Sequence, residues 1–122
     1  MCDKTIAFDL DDVLCSRTSN QGDIEKYYSC IPNQKMIDIL NLCKSKGFKI
    51  IIYTSRGMTV FNGNVNDIYS NLYDLTQKQL KEWKVNYDQL IMGKVHYDLL
   101  IDDKAINSLN IKNIKDIETF ID

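Results

Sequence analysis

Short apolar runs alternate along the chain with longer amphipathic stretches. The runs at Thr5–Phe8 and residues 48–53 consist mostly of β-branched, aromatic and other apolar side chains, and two shorter runs follow at residues 90–92 and 99–101. Strands buried inside a parallel sheet have this nearly continuous apolar pattern. The pattern therefore predicts four strands of a parallel sheet.

Two amphipathic stretches between these runs have the spacing of helices. The first begins after Asn33, a candidate N-cap, ends before Gly47, and has apolar residues at positions i, i+3, i+4 and i+7. The second spans about residues 66–83, and a short final helix is predicted near residues 116–121. Helices that connect parallel strands form right-handed crossovers, so the order of elements predicts an α/β fold.

The composition is that of one ordinary globular domain. With 122 residues, the chain is long enough for a single core over residues 1–122 and too short for a separate lid domain. Fifteen basic and seventeen acidic residues give a net charge of −2, which argues against nucleic acid or an anionic membrane as a partner. No apolar run approaches the roughly 20 residues of a membrane span, and the N-terminus lacks a signal-peptide pattern, so we expect a cytoplasmic protein.

The cysteines and the single histidine do not form a metal motif. None of the four cysteines belongs to a CxxC pair, so a zinc site is not expected, and reduced thiols are expected in the cytoplasm. His96 is interpreted as a loop or surface residue rather than a catalyst.

Each predicted strand is followed by residues whose side chains can take part in binding or catalysis: Asp9 and Asp11, Thr54, Lys94, and Asp102 and Asp103. The carboxyl ends of parallel strands meet at one edge of the sheet, where open α/β folds bind ligands. Acids, a hydroxyl group and an ammonium group are therefore expected in one cleft.

This combination predicts a magnesium site for phosphoryl transfer. Carboxylates that face one another repel, so a cation is required, and oxygen ligands favour Mg²⁺, commonly beside a substrate phosphate. Lys94 supplies a positive charge and Thr54 a hydroxyl donor for the phosphate oxygens. A carboxylate can itself be the nucleophile and form an aspartyl phosphate.

The ordered motifs resemble those of the haloacid dehalogenase superfamily. Residues 9–14 (DLDDVL) are similar to its DxDx(T/V)L signature, and Thr54, Lys94 and residues 102–103 are similar to its second, third and fourth motifs. The segments YTSRGM, GN, YD, GK and IDDKA resemble those of small capless phosphatases of capsule polysaccharide biosynthesis. The resemblance covers nearly the whole chain and implies a three-layer α/β/α, Rossmann-like core without a cap domain.

The resemblance also implies roles for the acidic residues. Asp9 is the nucleophile and a Mg²⁺ ligand, and Asp11 is the general acid/base, whose backbone carbonyl also binds the metal. Asp102 and Asp103 complete the metal site: Asp102 is the direct ligand, and Asp103 supports metal-bound water or Lys94.

Phosphate binding is assigned to the residues after the second and third strands. Thr54 and Lys94 bind the phosphoryl oxygens, as the resemblance implies. Ser55 and Arg56, which follow Thr54 directly, are further candidates for this role. A solvated loop charge is the other interpretation of Arg56.

The implied function is Mg²⁺-dependent hydrolysis of a small polar phosphate monoester through an aspartyl phosphate, in capsular polysaccharide biosynthesis. A sugar phosphate, or the phosphate of a polyol or amino alcohol, is the expected substrate. Without a cap, water has to be excluded by the flap (residues 16–28), by the loop at residues 56–64, or by a neighbouring subunit, which leaves a homo-oligomer open.

A phospho-aspartate receiver domain of a signalling system is the alternative, because receivers also gather acids, a hydroxyl group and a lysine around Mg²⁺. The order along the chain argues against it. A receiver has its lysine last, whereas Lys94 precedes Asp102. A receiver also has its acceptor aspartate on a middle strand, where the run at residues 48–53 ends in Thr54. A family member that only binds a partner is a third interpretation, which the intact motifs disfavour.

Overall fold

A computed structural model describes residues 3–20 and 22–121. Its regular elements are five strands and three α-helices, with single 3₁₀ turns at Glu25–Tyr27 and Ser108–Asn110. In chain order they are β1 (Thr5–Phe8), β2 (Cys15–Ser16), β3 (Ile31–Pro32), α1 (Gln34–Ser45), β4 (Lys49–Thr54), α2 (Val65–Glu82), β5 (Gln89–Met92) and α3 (Ile114–Ile121).

The main sheet has the strand order β1-β4-β5, and both pairings are parallel. Thr5 lies opposite Lys49, and Ile51 lies opposite Gln89. The helix α1 connects β1 to β4 and α2 connects β4 to β5, so the crossovers proceed in one direction across the sheet. The predicted α/β class with a Rossmann-like parallel sheet is confirmed, and residues 3–20 and 22–121 contain no cap domain.

Side-chain caps begin the two long helices. The side chain of Asn33 accepts a hydrogen bond from the backbone N–H of Met36, which confirms the predicted N-cap of α1. Asn64 does the same for α2 through the N–H of Asp67. Gly47 follows α1 at a φ of 98°, a left-handed conformation that ends the helix as predicted.

One face of the sheet is packed and the other is largely open. Consecutive strand residues point to opposite faces, and in β4 Ile50 and Ile52 are fully buried while Lys49 is exposed. Right-handed crossovers in one direction put α1 and α2 on the same face, and their buried residues join the core cluster there. The second helical layer of the predicted three-layer arrangement does not cover the open face, where Ala7 is exposed and Tyr53 is 39% exposed.

The fourth predicted strand is not formed. Residues 93–107 contain no strand, and the side chains of Leu99 and Ile101 are 76% and 89% exposed. A run of three apolar residues makes a strand only where another strand pairs with it, and β1 pairs in this sheet with β4 alone.

Among the described helices, none is long and apolar enough to cross a membrane.

Candidate functional site

A cleft of about 270 Å³ lies at the carboxyl ends of β1, β4 and β5. Ten residues line it: Asp9, Asp11, Asp12, Arg17, Thr54, Ser55, Lys94, Val95, His96 and Tyr97. A more open groove beside the end of α2, lined by Lys78, Lys81 and Tyr87 among others, has no carboxylate. The strand-end cleft is therefore the candidate site, at the place that the topology of a parallel sheet favours.

Asp9 is an accessible acid of this cleft. It follows β1 directly, its side chain is 36% exposed, and the N–H of Leu10 donates to its Oδ1 at 2.8 Å. Lys94 Nζ lies 3.6 Å from Asp9 Oδ2. Partial burial raises the pKa of Asp9, and this effect outweighs the lowering by Lys94 and by the N–H of Leu10. The structure thus pairs an available carboxylate oxygen with an ammonium group.

A tight turn after β1 presents Asp11 and Asp12. The N–H of Leu14 donates to the carbonyl of Leu10 at 2.8 Å, and the N–H of Asp12 donates to the carbonyl of Cys15 at 2.7 Å. Asp12 has a φ of 70°, which aspartate tolerates better than most residues, and its side chain is exposed at the cleft. The turn therefore directs two neighbouring acids to different surroundings.

Asp11 is held by Arg56 in a bidentate ion pair. Arg56 Nε donates to Asp11 Oδ2 at 3.0 Å, and Nη2 donates to Oδ1 at 2.8 Å. The third nitrogen, Nη1, donates to Gln79 Oε1 at 2.6 Å and to Thr76 Oγ1 at 3.2 Å, and the guanidinium stacks on the ring of Tyr27. Burial opposes the charge of Arg56, but the hydrogen bonds and charge of Asp11 outweigh it and raise the pKa of Arg56.

The structure contradicts the prediction that Arg56 binds the substrate phosphate. The side chain of Arg56 has no exposed surface, and Asp11, Thr76 and Gln79 occupy its nitrogen atoms. Arg56 links Asp11, which follows β1, to the buried face of α2. Two polar residues on that otherwise apolar face, Thr76 and Gln79, were the sequence signal for a buried ion, because polar groups on a core-facing side need a partner.

Thr54 and Ser55 lie at the end of β4 beside Asp9. Thr54 is 1% exposed, and its Oγ1 accepts the N–H of Arg56 at 3.0 Å, which leaves the hydroxyl hydrogen free to point toward the cleft. Ser55 is half-buried and lines the same cleft. The structure therefore brings both predicted phosphate-binding hydroxyl groups to one wall.

Lys94 reaches the cleft from the end of β5. Gly93 before it has a φ of 88°, and the N–H of Lys94 donates to the carbonyl of Thr54 at 3.1 Å, which ties the two strand ends together. The ammonium group lies between the rings of Tyr53 and Tyr97, at 5.8 and 5.3 Å from their centroids. These contacts hold the charge of Lys94 next to Asp9.

Asp102 and Asp103 do not line the cleft. Both are exposed, and Asp102 Oδ1 accepts the N–H of Lys104 within its own turn. Since no strand forms at residues 99–101, nothing carries this pair to the sheet edge. Neither residue is part of the cleft that the structure describes. Their role as metal ligands therefore stays a prediction.

Arg17, His96 and Tyr97 line the cleft without having been singled out as site residues by the sequence. The Nε of Arg17 is buried and has no hydrogen-bond partner within residues 3–20 and 22–121. An unpaired guanidinium donor in the lining that also includes Lys94 gives the cleft a second group suited to an anion. Arg17 lies in the flap, whose irregular sequence pattern offered no register from which its position could be read.

Two thiols lie next to the carboxylate of Asp11. Its Oδ1 accepts from Cys15 Sγ at 3.4 Å and is 4.0 Å from Cys30 Sγ. A hydrogen bond between the two thiols raises the pKa of Cys15 and lowers that of Cys30; burial adds to the first effect and opposes the second. The three groups have ligand atoms within 4.8 Å of one another, a spacing that could also hold a metal ion.

No family model matches the chain, and no curated protein matches it either. Among solved structures, a structural genomics target from Vibrio cholerae is 29% identical, with a TM-score of 0.81 over 96% of this chain and 95% of that chain. A chain of the Pnkp1/Rnl/Hen1 complex is 20% identical, with a TM-score of 0.55 over 83% of this chain and 31% of that chain. The first similarity extends over nearly the full length of both chains. The second, at 20% identity, shows a similar fold and nothing more.

Proposed function

We propose that this chain is a Mg²⁺-dependent phosphatase of the haloacid dehalogenase type that hydrolyses a small polar phosphate monoester. The observation that carries the proposal is the pairing of Asp9 with Lys94 at 3.6 Å, in an open cleft that Thr54 and Ser55 also line. A nucleophilic carboxylate next to donors for phosphoryl oxygens is the arrangement that phosphoryl transfer requires. The motif resemblance supports the same chemistry independently of this geometry.

In the first step, Asp9 Oδ2 attacks the phosphorus, the ester P–O bond breaks, and an aspartyl phosphate forms. Lys94 and the hydroxyl groups of Thr54 and Ser55 neutralise or donate to the phosphoryl oxygens as charge develops there. In the second step, water attacks the same phosphorus, the Asp9 O–P bond breaks, and inorganic phosphate leaves. Asp9 is thereby restored as a carboxylate.

Asp11 is the proposed general base of the second step. Its two oxygens accept N–H bonds from Arg56. In the proposed second step, one of these oxygens takes a proton from the attacking water. To protonate the leaving alcohol in the first step, Asp11 has to hold a proton on one of these oxygens, and the contact with Arg56 has to loosen. Arg56 is a positioning residue in this scheme.

The acids of the cleft suit Mg²⁺. Asp9 and Asp12 line the cleft, and the motif resemblance implies the backbone carbonyl of Asp11 as a further ligand. A magnesium ion commonly takes one or two carboxylates, several waters and a substrate phosphate. When bound, the ion supplies positive charge that stabilises the phosphoryl group. The group of Asp11, Cys15 and Cys30 is less suited to a cation, because Arg56 Nη2 already lies 2.8 Å from Asp11 Oδ1 and 3.7–3.8 Å from both sulfur atoms.

The size and lining of the cleft favour a small polar leaving group. Its volume is about 270 Å³, and Arg17, Lys94 and His96 contribute polar atoms to its wall. The part of the chain that the structure describes forms no cap to enclose a large substrate. We therefore propose a sugar phosphate or a polyol or amino-alcohol phosphate as substrate, in the cytoplasm and in the capsule-type pathway that the motif resemblance indicates.

The test is hydrolysis of a panel of phosphate monoesters with Mg²⁺, for the native chain and for Asp9→Asn. We expect turnover of small polar esters that EDTA abolishes, and a loss of roughly 10⁴-fold or more in the variant, as when other nucleophiles are removed. Asp74→Asn, the same change on the exposed side of α2, is the matched control and should keep full activity. Equal activity of Asp9→Asn and Asp74→Asn would exclude the mechanism.

The receiver alternative predicts a different result with acetyl phosphate. A receiver would accumulate a long-lived phosphoryl group, seen by intact-mass spectrometry, and hydrolyse no monoester. A stable phosphorylated form without turnover would overturn the phosphatase proposal.

A further inference from the structure

Cys15 and Cys30 form a sulfur pair that the proposed reaction does not use. The strands β2 and β3 are antiparallel, and Cys15 lies opposite Pro32. Cys30 is two residues before Pro32, so its side chain points to the same face of this small sheet as that of Cys15. The two sulfur atoms lie within 4.8 Å of each other. A disulfide requires them to approach to the bonding distance of about 2.05 Å.

The surroundings of the pair favour sulfur chemistry over metal binding. Arg56 Nη2 lies 3.8 Å from Cys15 Sγ and 3.7 Å from Cys30 Sγ. A metal ion at this place would have to displace a guanidinium that Asp11 and Gln79 hold on its other sides. The positive charge of Arg56 beside the two thiols stabilises a thiolate, as in the environment of reactive cysteines, and the carboxylate of Asp11 opposes this effect.

We propose that Cys15 and Cys30 are a reversible dithiol–disulfide pair that a hydroperoxide oxidises. The sulfur of Cys30, which is half-buried, attacks one peroxide oxygen: an S–O bond forms, the O–O bond breaks, and the first water or alcohol leaves with the proton of that thiol. The fully buried sulfur of Cys15 then attacks Cys30: the S–S bond forms, the S–O bond breaks, and a second water takes up the proton of Cys15. Two thiols lose two electrons and two protons, and the peroxide is reduced.

The disulfide closes the flap at its base, since the flap begins after Cys15 and ends before Cys30. Tyr27 of the flap already packs on Arg56, with the guanidinium carbon 4.9 Å from the ring centroid, and its hydroxyl accepts the N–H of Gly57. The covalent link would therefore fix the segment that contains Arg17 against the cleft. It would also remove the S–H donor that Cys15 directs to Asp11. The oxidised chain is accordingly expected to unfold at a higher temperature than the reduced chain.

The experiment oxidises the reduced, folded chain with stoichiometric hydrogen peroxide, blocks free thiols and maps the peptides by mass spectrometry. We expect the loss of two thiols and two hydrogen atoms per chain, one peptide pair linked through Cys15 and Cys30, and full recovery of thiols with dithiothreitol. Cys30→Ser should prevent the link. Cys43→Ser, a matched change at a buried cysteine of α1, should leave it intact.

Three results would overturn the proposal. They are oxidation of Cys30 to a sulfinic acid while Cys15 stays a thiol, a disulfide that joins two chains or involves Cys2, and a link that Cys30→Ser does not prevent. The native chain alone decides the first two, so a variant that folds poorly leaves those tests intact. All readouts are thiol chemistry, and the result is independent of whether the chain proves to be a phosphatase.

Discussion

The chain contains two acidic pairs that each follow an apolar run, and the structure treats them differently. Asp9 and Asp11 follow β1, which pairs with β4, and Phe8 at its end is buried. Asp102 and Asp103 follow residues 99–101, where Ile101 is 89% exposed and no strand forms. The local pattern is similar in both places, so the difference lies in what the rest of the molecule supplies.

Each acid of the first pair has a basic partner from another strand end. Lys94 reaches Asp9 from the end of β5, and Arg56 reaches Asp11 from the end of β4. The second pair interacts within its own turn, where Asp102 accepts the N–H of Lys104 and hydrogen-bonds the side chain of Asp103. An apolar run forms a strand when a neighbouring strand satisfies its backbone hydrogen bonds. An acidic residue becomes part of a site when the fold brings basic residues that are distant in sequence next to it.

The largest expected effect separates the two pairs by activity. Asp11→Asn should lower kcat/KM by about 10²–10⁴-fold, since it removes the proposed general base. Asp102→Asn and Asp103→Asn should change it far less, because these side chains do not line the cleft. Steady-state kinetics on the best monoester decides. If Asp103→Asn loses as much as Asp11→Asn, the second pair reaches the cleft in solution and the contrast fails.

Core packing offers the next largest difference, in stability. Ile52→Ala should lower the free energy of unfolding by about 3–4 kcal/mol, because Ile52 of β4 is fully buried. Ile101→Ala should change it by no more than about 0.5 kcal/mol, as at other exposed positions. Urea unfolding of both variants measures the two values. A large loss for Ile101→Ala would show that residues 99–101 are packed in solution.

The ion pair between Arg56 and Asp11 is expected to contribute somewhat less to the free energy of unfolding. Arg56→Met should cost about 3 kcal/mol, at the lower end for a broken buried pair, because Asp11 still faces the cleft. Arg17→Met is the matched control at a cleft-lining arginine without a carboxylate partner among the described ion pairs, and should cost less than about 1 kcal/mol. Thermal unfolding compares them. Equal losses would mean that Arg56 does not anchor Asp11.

The smallest expected effect concerns Asp88, an acid anchored outside the cleft. Lys44 at 2.6 Å and the N–H of Ile50 at 2.7 Å lower the pKa of Asp88. A carboxyl with a lowered pKa in the folded chain stabilises it above the pKa of the unfolded chain, and this contribution disappears as the pH falls through the folded value. Asp88→Asn should therefore be slightly less stable than the native chain at pH 7, and the difference should begin to shrink as the pH falls below about 4.

That pH series is measured by urea unfolding between pH 7 and pH 3. A gap that stays constant over this range would show that Asp88 acts through the shape of its side chain rather than through its charge. Asp38→Asn, on the exposed side of α1, serves as the control substitution.

The local elements of the fold could be predicted because short-range physics specifies them. The β1 and β4 runs, the Asn33 cap and the glycine after α1 depend on residues that are neighbours in sequence. The convergence of Asp9, Thr54 and Lys94 also followed from sequence, since parallel topology alone brings strand ends to one edge.

Only the tertiary structure decided which charged residues face the cleft and which are buried beneath it. Asp11 and Arg56 are 45 positions apart, and their bidentate contact depends on the register of β1 against β4 and on Thr76 and Gln79 of α2. The exposure of residues 99–101 likewise depends on the absence of a pairing strand, which no local pattern encodes. The sequence by itself determined the parallel sheet and the kinds of side chain at its edge; long-range pairing determined the partners of each charge, because burial and ion pairing are properties of atoms brought together by the fold.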